Sequence, residues 1–194
     1  GKMDLQGPKA AQILARVLKD PAAIFEGMIY FSFKGGFDAA ILPATGAALA
    51  DGTPLMVSRT GYTGEFGFEL FIAPQHIDRL WTLLLAAGAD DGILPCGLAA
   101  RDSLRAGAGL PLSHQDIGPW FFGRNPWMFV LPTTAPGGAF SKDFIGAAAL
   151  NAGGDGRHTL AYAGFDPRKI TIGETSRVTD LDGRVLGEIL TCTT

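Results

Sequence analysis

The chain has 194 residues, and its 16 Lys and Arg against 19 Asp and Glu give a formal net charge of −3. This weakly acidic balance argues against a nucleic-acid partner bound through a basic surface. Hydrophobic residues make up 47% and charged residues 18%, which supplies enough apolar material for a folded core. No apolar run approaches the roughly 20 residues that a bilayer requires, so no membrane partner is predicted.

The two cysteines, Cys96 and Cys192, lie far apart in the sequence. Neither belongs to a CxxC motif or has a histidine at metal-ligand spacing, so the sequence predicts no disulfide framework and no metal site. Reduced thiols and a cytoplasmic location are therefore expected.

The first part of the chain is predicted to contain one helix and one strand. Pro8–Leu18 carries apolar residues at helical spacing, and Pro21 is expected to end that helix. Met28–Phe33 is dense in aromatic and β-branched residues, which favours a strand. The glycines at 35 and 36 are expected to break this strand.

The clearest pattern is a hairpin of two strands, Leu55–Arg59 and Phe66–Ile72, around a glycine-rich turn at 61–64. Side chains alternate between the two faces of a strand. Glu69 is therefore expected on the side opposite to an apolar face formed by Phe66, Phe68, Leu70 and Ile72.

Helices are predicted after this hairpin, and strands near the end of the chain. Apolar spacing favours one helix starting at Pro74 and ending at Gly88, and a second helix spans 95–108. Thr159–Phe165 and Ser176–Leu190 favour strands, and the second of these folds back at an Asp-Gly turn. Proline, glycine and aromatic residues crowd the stretch at 118–138, which predicts no regular element.

Several residues could form a ligand site. Glycines at 61, 64 and 67 permit close approach of the backbone to a ligand, although a plain glycine-rich loop with an exposed Tyr62 is the simpler interpretation. Glu69 is either a solvated carboxylate or an acceptor for a flat ligand with adjacent N–H groups, such as the edge of a pterin or guanine. Phe71 and Tyr62 would then cover the rings.

Arg101 and Arg105 fall four residues apart, on the same side of the predicted helix. Such a pair most often indicates a solvated helix face with Asp102 as ion-pair partner. The functional alternative is a clamp on a carboxylate or phosphate. Phosphate-loop, dinucleotide-binding and Ser-His-Asp patterns are absent from the sequence.

Two long motifs then carry a resemblance. SRTGYTGEFGFEL at 58–70 and GLAARDSLRAGAGLPLSHQDI at 97–117 closely resemble two signatures of the glycine cleavage T-protein family, the aminomethyltransferases. LQGPKA at 5–10 matches a third motif, and KDFIG and DGRVLGEILT match weaker ones in order. Members of this family have a long segment before LQGP and continue beyond the point where this chain ends. The resemblance therefore implies a C-terminal fragment that lacks the N-terminal segment.

The fold expected on this basis is α+β: an antiparallel sheet with packed helices, followed by a partial β-barrel-like C-terminal domain. Residues 1–117 are expected to form an incomplete folate-binding core. Residues 118–148 would form an irregular connecting segment, and residues 149–194 a truncated C-terminal β domain.

The resemblance also implies a transferase of one-carbon metabolism and glycine catabolism. Such an enzyme moves a one-carbon unit from the aminomethyl-dihydrolipoyl H-protein to tetrahydrofolate and releases ammonia. Tetrahydrofolate is the implied cofactor, and the lipoyl-carrying H-protein is the implied partner. By motif position, Glu69 matches the glutamate that binds the pterin, Tyr62 the tyrosine lining the folate site, and Arg101 an arginine near the folate.

Departures from the family pattern also set expectations. Phe66 stands where the family usually has Asp, and GPWFFG at 118–123 replaces the family's stretch after the second signature. The family's catalytic aspartate lies in the N-terminal segment, so no catalytic residue is assigned here and this chain alone is expected to be inactive. Two alternatives stay open: a related folate-dependent demethylase, and a folate-binding protein without catalysis.

Overall fold

A computed structural model describes residues 1–38, 40, 46–118, 121–125, 130–135, 138–166, 168, 170–172 and 176–193. The chain forms two compact units, Gly1–Ala108 and Gly109–Thr194. The first unit combines helices with an antiparallel sheet, as the α+β expectation requires. No helix within the described ranges is both long and apolar enough to cross a membrane.

The first unit is built on a four-stranded antiparallel sheet with the strand order β1-β4-β3-β2. Its strands are β1 Lys2–Gln6, β2 Phe33–Gly35, β3 Leu55–Ser58 and β4 Gly67–Ile72. The predicted hairpin is confirmed as β3 and β4. Glu69 pairs with Ser58 on β3 and with Asp4 on β1, which places it on an inner strand with a neighbour on each side.

Alternation along β4 gives the sheet two different faces. Phe68, Leu70 and Ile72 are at most 2% exposed and belong to the core, whereas Glu69 and Phe71 are half-buried on the other face. The sequence placed Phe66 on the apolar face as well. That residue precedes β4 and is 41% exposed, and its ring stands edge-on to that of Phe68 with 5.5 Å between the ring centroids.

Helices cover the apolar face of the sheet. α1 (Ala10–Ala15) and α3 (Ile77–Ala87) contribute buried residues to the same core as β4, among them Leu14 and Leu80. Burying one such leucine side chain stabilises the fold by about 1.5–3 kcal/mol. α3 follows a short 3-10 turn at Pro74–His76 and ends at Ala87 with Gly88 as its C-cap, close to its predicted bounds.

The first predicted helix is shorter than expected, and Pro21 begins a helix instead of ending one. α2 spans Pro21–Phe25 with proline in its first turn, where a missing N–H costs nothing. Asp20 caps this helix by accepting a hydrogen bond of 3.0 Å from the Ala23 N–H. The local chemistry of a helix start therefore outweighed the helix-breaking signal of proline.

The strand predicted at Met28–Phe33 is wrong. Phe31 has a φ of +63°, outside the range of a strand, and the Ser32 N–H donates to the Ile29 carbonyl across a turn. Ile29 and Phe31 are 72% and 74% exposed, so the middle of this apolar run stays outside the core, against which Met28 packs. β1 was not predicted from the sequence.

The second unit contains α5 (Ala147–Asn151) and a two-stranded antiparallel sheet of β5 (Arg177–Thr179) and β6 (Val185–Glu188). The Asp-Gly hairpin is therefore confirmed. Thr159–Phe165 is not a strand, because no neighbouring strand pairs with it among the residues described here. The partial barrel and the predicted domain boundaries stay predictions.

Regular structure is short at the end of the first predicted domain and in the segment that follows it. A π-helical turn spans Ser113–Ile117 and a 3-10 turn spans Phe122–Arg124. Of the segment expected to be irregular, residues 119, 120, 126–129, 136 and 137 lie outside the described residues.

Candidate functional site

The loop between β3 and β4 is fastened to β1 by one side chain, Gln6. Its Nε2 donates hydrogen bonds to the carbonyl oxygens of Thr60 (3.3 Å) and Phe68 (3.2 Å). Its Oε1 accepts a hydrogen bond of 3.2 Å from the Thr63 hydroxyl. The loop that carries Tyr62 is therefore held at both ends by β1.

Two glycines of the loop motif make room for this glutamine. A Cβ at Gly61 would stand 2.3 Å from Gln6 Oε1, and a Cβ at Gly67 would stand 2.4 Å from the same atom. At these two positions glycine serves packing within the chain. Gly64 differs, because its φ of +75° favours glycine for the shape of the backbone.

The Glu69 carboxylate makes polar contacts through both of its oxygens. Oε1 lies 2.5 Å from the ammonium nitrogen of Lys2, and Oε2 accepts a hydrogen bond of 2.5 Å from the Thr60 hydroxyl. The Thr60 hydroxyl lies 2.8 Å from that of Ser58. The Glu69 side chain is 18% exposed, so part of it is accessible from solvent.

A second carboxylate, Asp4, links this pair to α4 (Leu98–Gly107). Lys2 Nζ lies 2.9 Å from Asp4 Oδ1, and Arg101 Nε lies 3.9 Å from Asp4 Oδ2. Lys2 and Asp4 are two residues apart on β1 and therefore share the face that carries Glu69. Two cations and two carboxylates thus alternate across this part of the sheet.

Arg101 also lies over the ring of Tyr62, with 4.8 Å from its guanidinium carbon to the ring centroid. A cation in this position is attracted by the negative face of the ring. The structure therefore brings together the three residues that the family motifs indicated. Glu69, Tyr62 and Arg101 are joined through Lys2 and Asp4, and their ligand-binding roles stay predictions.

Arg105 does not act as the second arm of a clamp. It is 1% exposed and its Nε donates a hydrogen bond of 2.8 Å to Asp102 Oδ1. The predicted ion pair with Asp102 is therefore present, but the predicted solvated position is wrong for Arg105, which is buried.

The charges around Glu69 hold it in its ionised form. Burial opposes ionisation, but hydrogen bonds from Lys2 and Thr60 and the positive charges of Lys2 and Arg101 outweigh it, so the pKa of Glu69 lies below its ordinary value. Burial likewise disfavours the charge on Lys2, and its bonds with Glu69 and Asp4 outweigh this and raise its pKa. The cluster therefore presents a carboxylate that accepts hydrogen bonds near neutral pH.

Sequence reasoning did not identify Lys2, Asp4 and Thr60 as members of the site. A signal was present: Lys2 and Asp4 sit at alternate positions directly before LQGPKA. This signal indicates a shared site only when residues 2–6 are known to form a strand beside β4. Within the residues described, no cluster of three or more His, Cys, Asp or Glu is placed to hold a metal ion.

These features define a class of protein: an α+β domain whose antiparallel sheet carries a half-buried carboxylate beside an arginine stacked on a tyrosine. The family described as "GCVT N-terminal domain" matches residues 1–121. The chain belongs to this family.

Curated relatives agree with this assignment. The aminomethyltransferase of Bacillus mycoides (strain KBAB4) is 41% identical over 116 residues, which are 60% of this chain and 28% of that protein. The aminomethyltransferase of Desulfitobacterium hafniense (strain DSM 10664 / DCB-2) is 37% identical over 155 residues, which are 78% of this chain and 36% of that protein. The chain therefore spans only 28% to 36% of the length of these relatives.

A solved structure supports the fold. The crystal structure of glycine cleavage system aminomethyltransferase T from Bartonella henselae matches with a TM-score of 0.54 at 21% identity, covering 98% of this chain and 71% of that chain. At this level of identity the likeness concerns the fold alone.

Proposed function

We propose that the chain is part of a tetrahydrofolate-dependent aminomethyltransferase of the glycine cleavage system. The observation that best supports this proposal is the Glu69 carboxylate, which is 18% exposed, held ionised, and placed in one cluster with Tyr62 and Arg101. Because the chain covers only part of its curated relatives, the activity, substrate and partner of the whole protein are all included in the proposal.

The residues present fit a pterin. Glu69 would accept hydrogen bonds from the ring N–H and the adjacent exocyclic amine, which an ionised carboxylate can take together. Tyr62 would lie against the ring system, and Arg101 would orient the ligand electrostatically from its position over Tyr62. Bound tetrahydrofolate would supply the nucleophilic nitrogen that takes the one-carbon unit.

The chain's own contribution to such a reaction is positioning. Gln6 fixes the loop that carries Tyr62, and the strand pairing fixes Glu69, so the two groups are set before a ligand arrives. Fixed groups of this kind lower the entropic cost of bringing reactants together. The proposed donor is the aminomethyl group on the dihydrolipoyl arm of the H-protein, in the cytoplasm.

Calorimetric titration with tetrahydrofolate tests the site. Glu69→Gln keeps the size of the side chain and removes its charge, so affinity should fall about tenfold or more if the ligand donates to the carboxylate. Glu26→Gln is the matched control, since Glu26 is exposed at the end of α2, and it should bind like the parent. Equal affinity of Glu69→Gln and the parent would contradict the proposed pterin contact.

The donor is tested separately from the site. Formation of 5,10-methylenetetrahydrofolate by the whole protein is measured after tetrahydrofolate is mixed either with aminomethyl-loaded H-protein or with an N-methylated amine and a two-electron acceptor. Product from the loaded H-protein supports the aminomethyltransferase. Turnover of the methylated amine alone would indicate the demethylase, because the cluster at Glu69 would serve either enzyme through the shared cofactor.

A further inference from the structure

The ammonium of Lys2 occupies the position that a ligand would need. Glu69 Oε1 lies 2.5 Å from Lys2 Nζ and Oε2 accepts from Thr60, so each carboxylate oxygen already has a donor. A ligand with two adjacent N–H groups must displace at least one of them or share an oxygen with it. The selectivity of the site depends on which of the two donors, Lys2 or Thr60, the ligand displaces.

Thr60 is the less mobile of the two donors. Its hydroxyl also lies 2.8 Å from the Ser58 hydroxyl, and its carbonyl oxygen accepts from Gln6, so it is tied to β3 and β1. The Lys2 side chain is 41% exposed and has four rotatable carbons. Lys2 is therefore the donor that can leave.

Lys2 also has a second acceptor at hand. Asp4 Oδ1 lies 2.9 Å from Nζ, on the same face of β1, so the ammonium can swing away from Glu69 and keep an ion pair. Glu69 would then exchange one cation for the N–H groups of the ligand. No charge is left without a partner in either state, which avoids the large cost of an unpaired buried charge.

We propose that Lys2 is an internal competitor for the ligand at Glu69, and that Asp4 receives its ammonium when the ligand binds. This inference rests on the proposed function. It makes Lys2 a determinant of specificity. A ligand with one N–H donor only replaces the contact it removes, whereas a ligand with two adjacent donors makes a net gain.

Three variants test the exchange: Lys2→Met, Asp4→Asn and the double variant. Lys2→Met removes the competitor and should tighten binding by about two- to fivefold, the range of an exposed ion pair. Asp4→Asn removes the negative charge that pairs with Lys2 after it leaves Glu69, and it should weaken binding by a similar factor. The double variant should bind with the same affinity as Lys2→Met alone, because Asp4 acts through Lys2.

The double variant also separates the two roles of Asp4. If Asp4 instead acts by holding Arg101, from which it lies 3.9 Å, its substitution should weaken binding even without Lys2. That result would overturn the proposed exchange. Lys2→Arg keeps the positive charge and should restore the parent affinity, while Lys9→Met removes a lysine paired with Asp91 and should change nothing.

Two ligands are titrated into each folded variant by calorimetry, after thermal unfolding has shown that it melts like the parent. Tetrahydrofolate tests the proposed cofactor. Isocytosine is neutral and presents a ring N–H beside an exocyclic amine, so its affinity does not respond to long-range attraction between Lys2 and the carboxylates of the folate tail.

The outcomes distinguish the two proposals. If isocytosine shows the predicted order of affinities and tetrahydrofolate does not bind, the folate function fails and the competitor role of Lys2 stands. If tetrahydrofolate binds through Glu69 but Lys2→Met binds either ligand no more tightly than the parent, the competitor role is overturned alone. If no variant binds either ligand, both proposals fail.

Discussion

Gly67 lies against the backbone of Leu5 on the neighbouring strand, where a Cβ would come within 2.5 Å of the Leu5 carbonyl oxygen. The same Cβ would also approach Gln6 Oε1 to 2.4 Å. Because β1 and β4 carry Asp4 and Glu69 in register, this close approach sets the spacing of the site.

Alanine at Gly67 should destabilise the first unit more than alanine at Gly61. At Gly67 the added methyl meets rigid backbone and should cost about 1–3 kcal/mol, whereas at Gly61 its nearest neighbours are atoms at the end of the Gln6 side chain, whose displacement should cost about 1 kcal/mol. Urea unfolding measures both. Gly187→Ala, where a Cβ meets nothing within 4 Å, is the control, and a larger loss at Gly61 than at Gly67 would contradict this packing.

Lowering the pH should remove the stabilisation that the ion pairs of Glu69 contribute. Its pKa is lowered in the folded protein from 4.5, so its stabilising contribution is fully present above that value and is lost as the pH falls through the folded pKa. The groups that face it are Lys2, Thr60 and Arg101. The free energy of unfolding of the parent should therefore drop more steeply between roughly pH 5 and pH 3 than that of Glu69→Gln. Parallel curves for the two proteins would show that the pairing does not stabilise the fold.

Neighbouring residues on α3 should differ sharply in their contribution to stability. Leu80 is 0% exposed in the core and Trp81 is 42% exposed, although both fit the helical spacing of apolar residues. Leu80→Ala leaves a cavity and should cost about 2–5 kcal/mol. Trp81→Ala removes a larger side chain and should still cost less, which chemical denaturation of the two variants checks directly.

The cap of α2 offers a local test. Asp20 accepts a hydrogen bond of 3.0 Å from the Ala23 N–H, and its replacement by alanine should cost about 1 kcal/mol. Asp20→Asn retains the acceptor and should restore most of the lost stability. Equal losses in both variants would assign the effect to charge and not to capping.

The sequence predicted those elements whose signals are local. The hairpin of β3 and β4 and the helix α3 follow from alternation and helical spacing, and both formed near their predicted bounds. The strand predicted from Met28 to Phe33 did not form because β propensity depends on a partner strand. Phe33 pairs with Ser58 in β2, whereas Phe31 and Ser32 hydrogen-bond to the Arg59 backbone without strand geometry at Phe31.

The sequence indicated only some residues of the cluster, because the others join it through strand pairing. Glu69, Tyr62 and Arg101 stand in long motifs, so the family resemblance could indicate them. Lys2 and Asp4 belong to the cluster because β1 pairs with β4, a strand more than 60 residues away. This pairing places Asp4 opposite Glu69. Local patterns do not encode such a register.

The two faces of β4 separate the residues of the core from those of the proposed site. Phe68, Leu70 and Ile72 lie in the core, and the intervening positions lie on the face of the proposed site. Under this proposal, a substitution at Phe71, or at Asp4 on the neighbouring strand, changes the preferred ligand without opening a cavity in the core. Related proteins that differ at these positions would bind other ligands and keep the same fold.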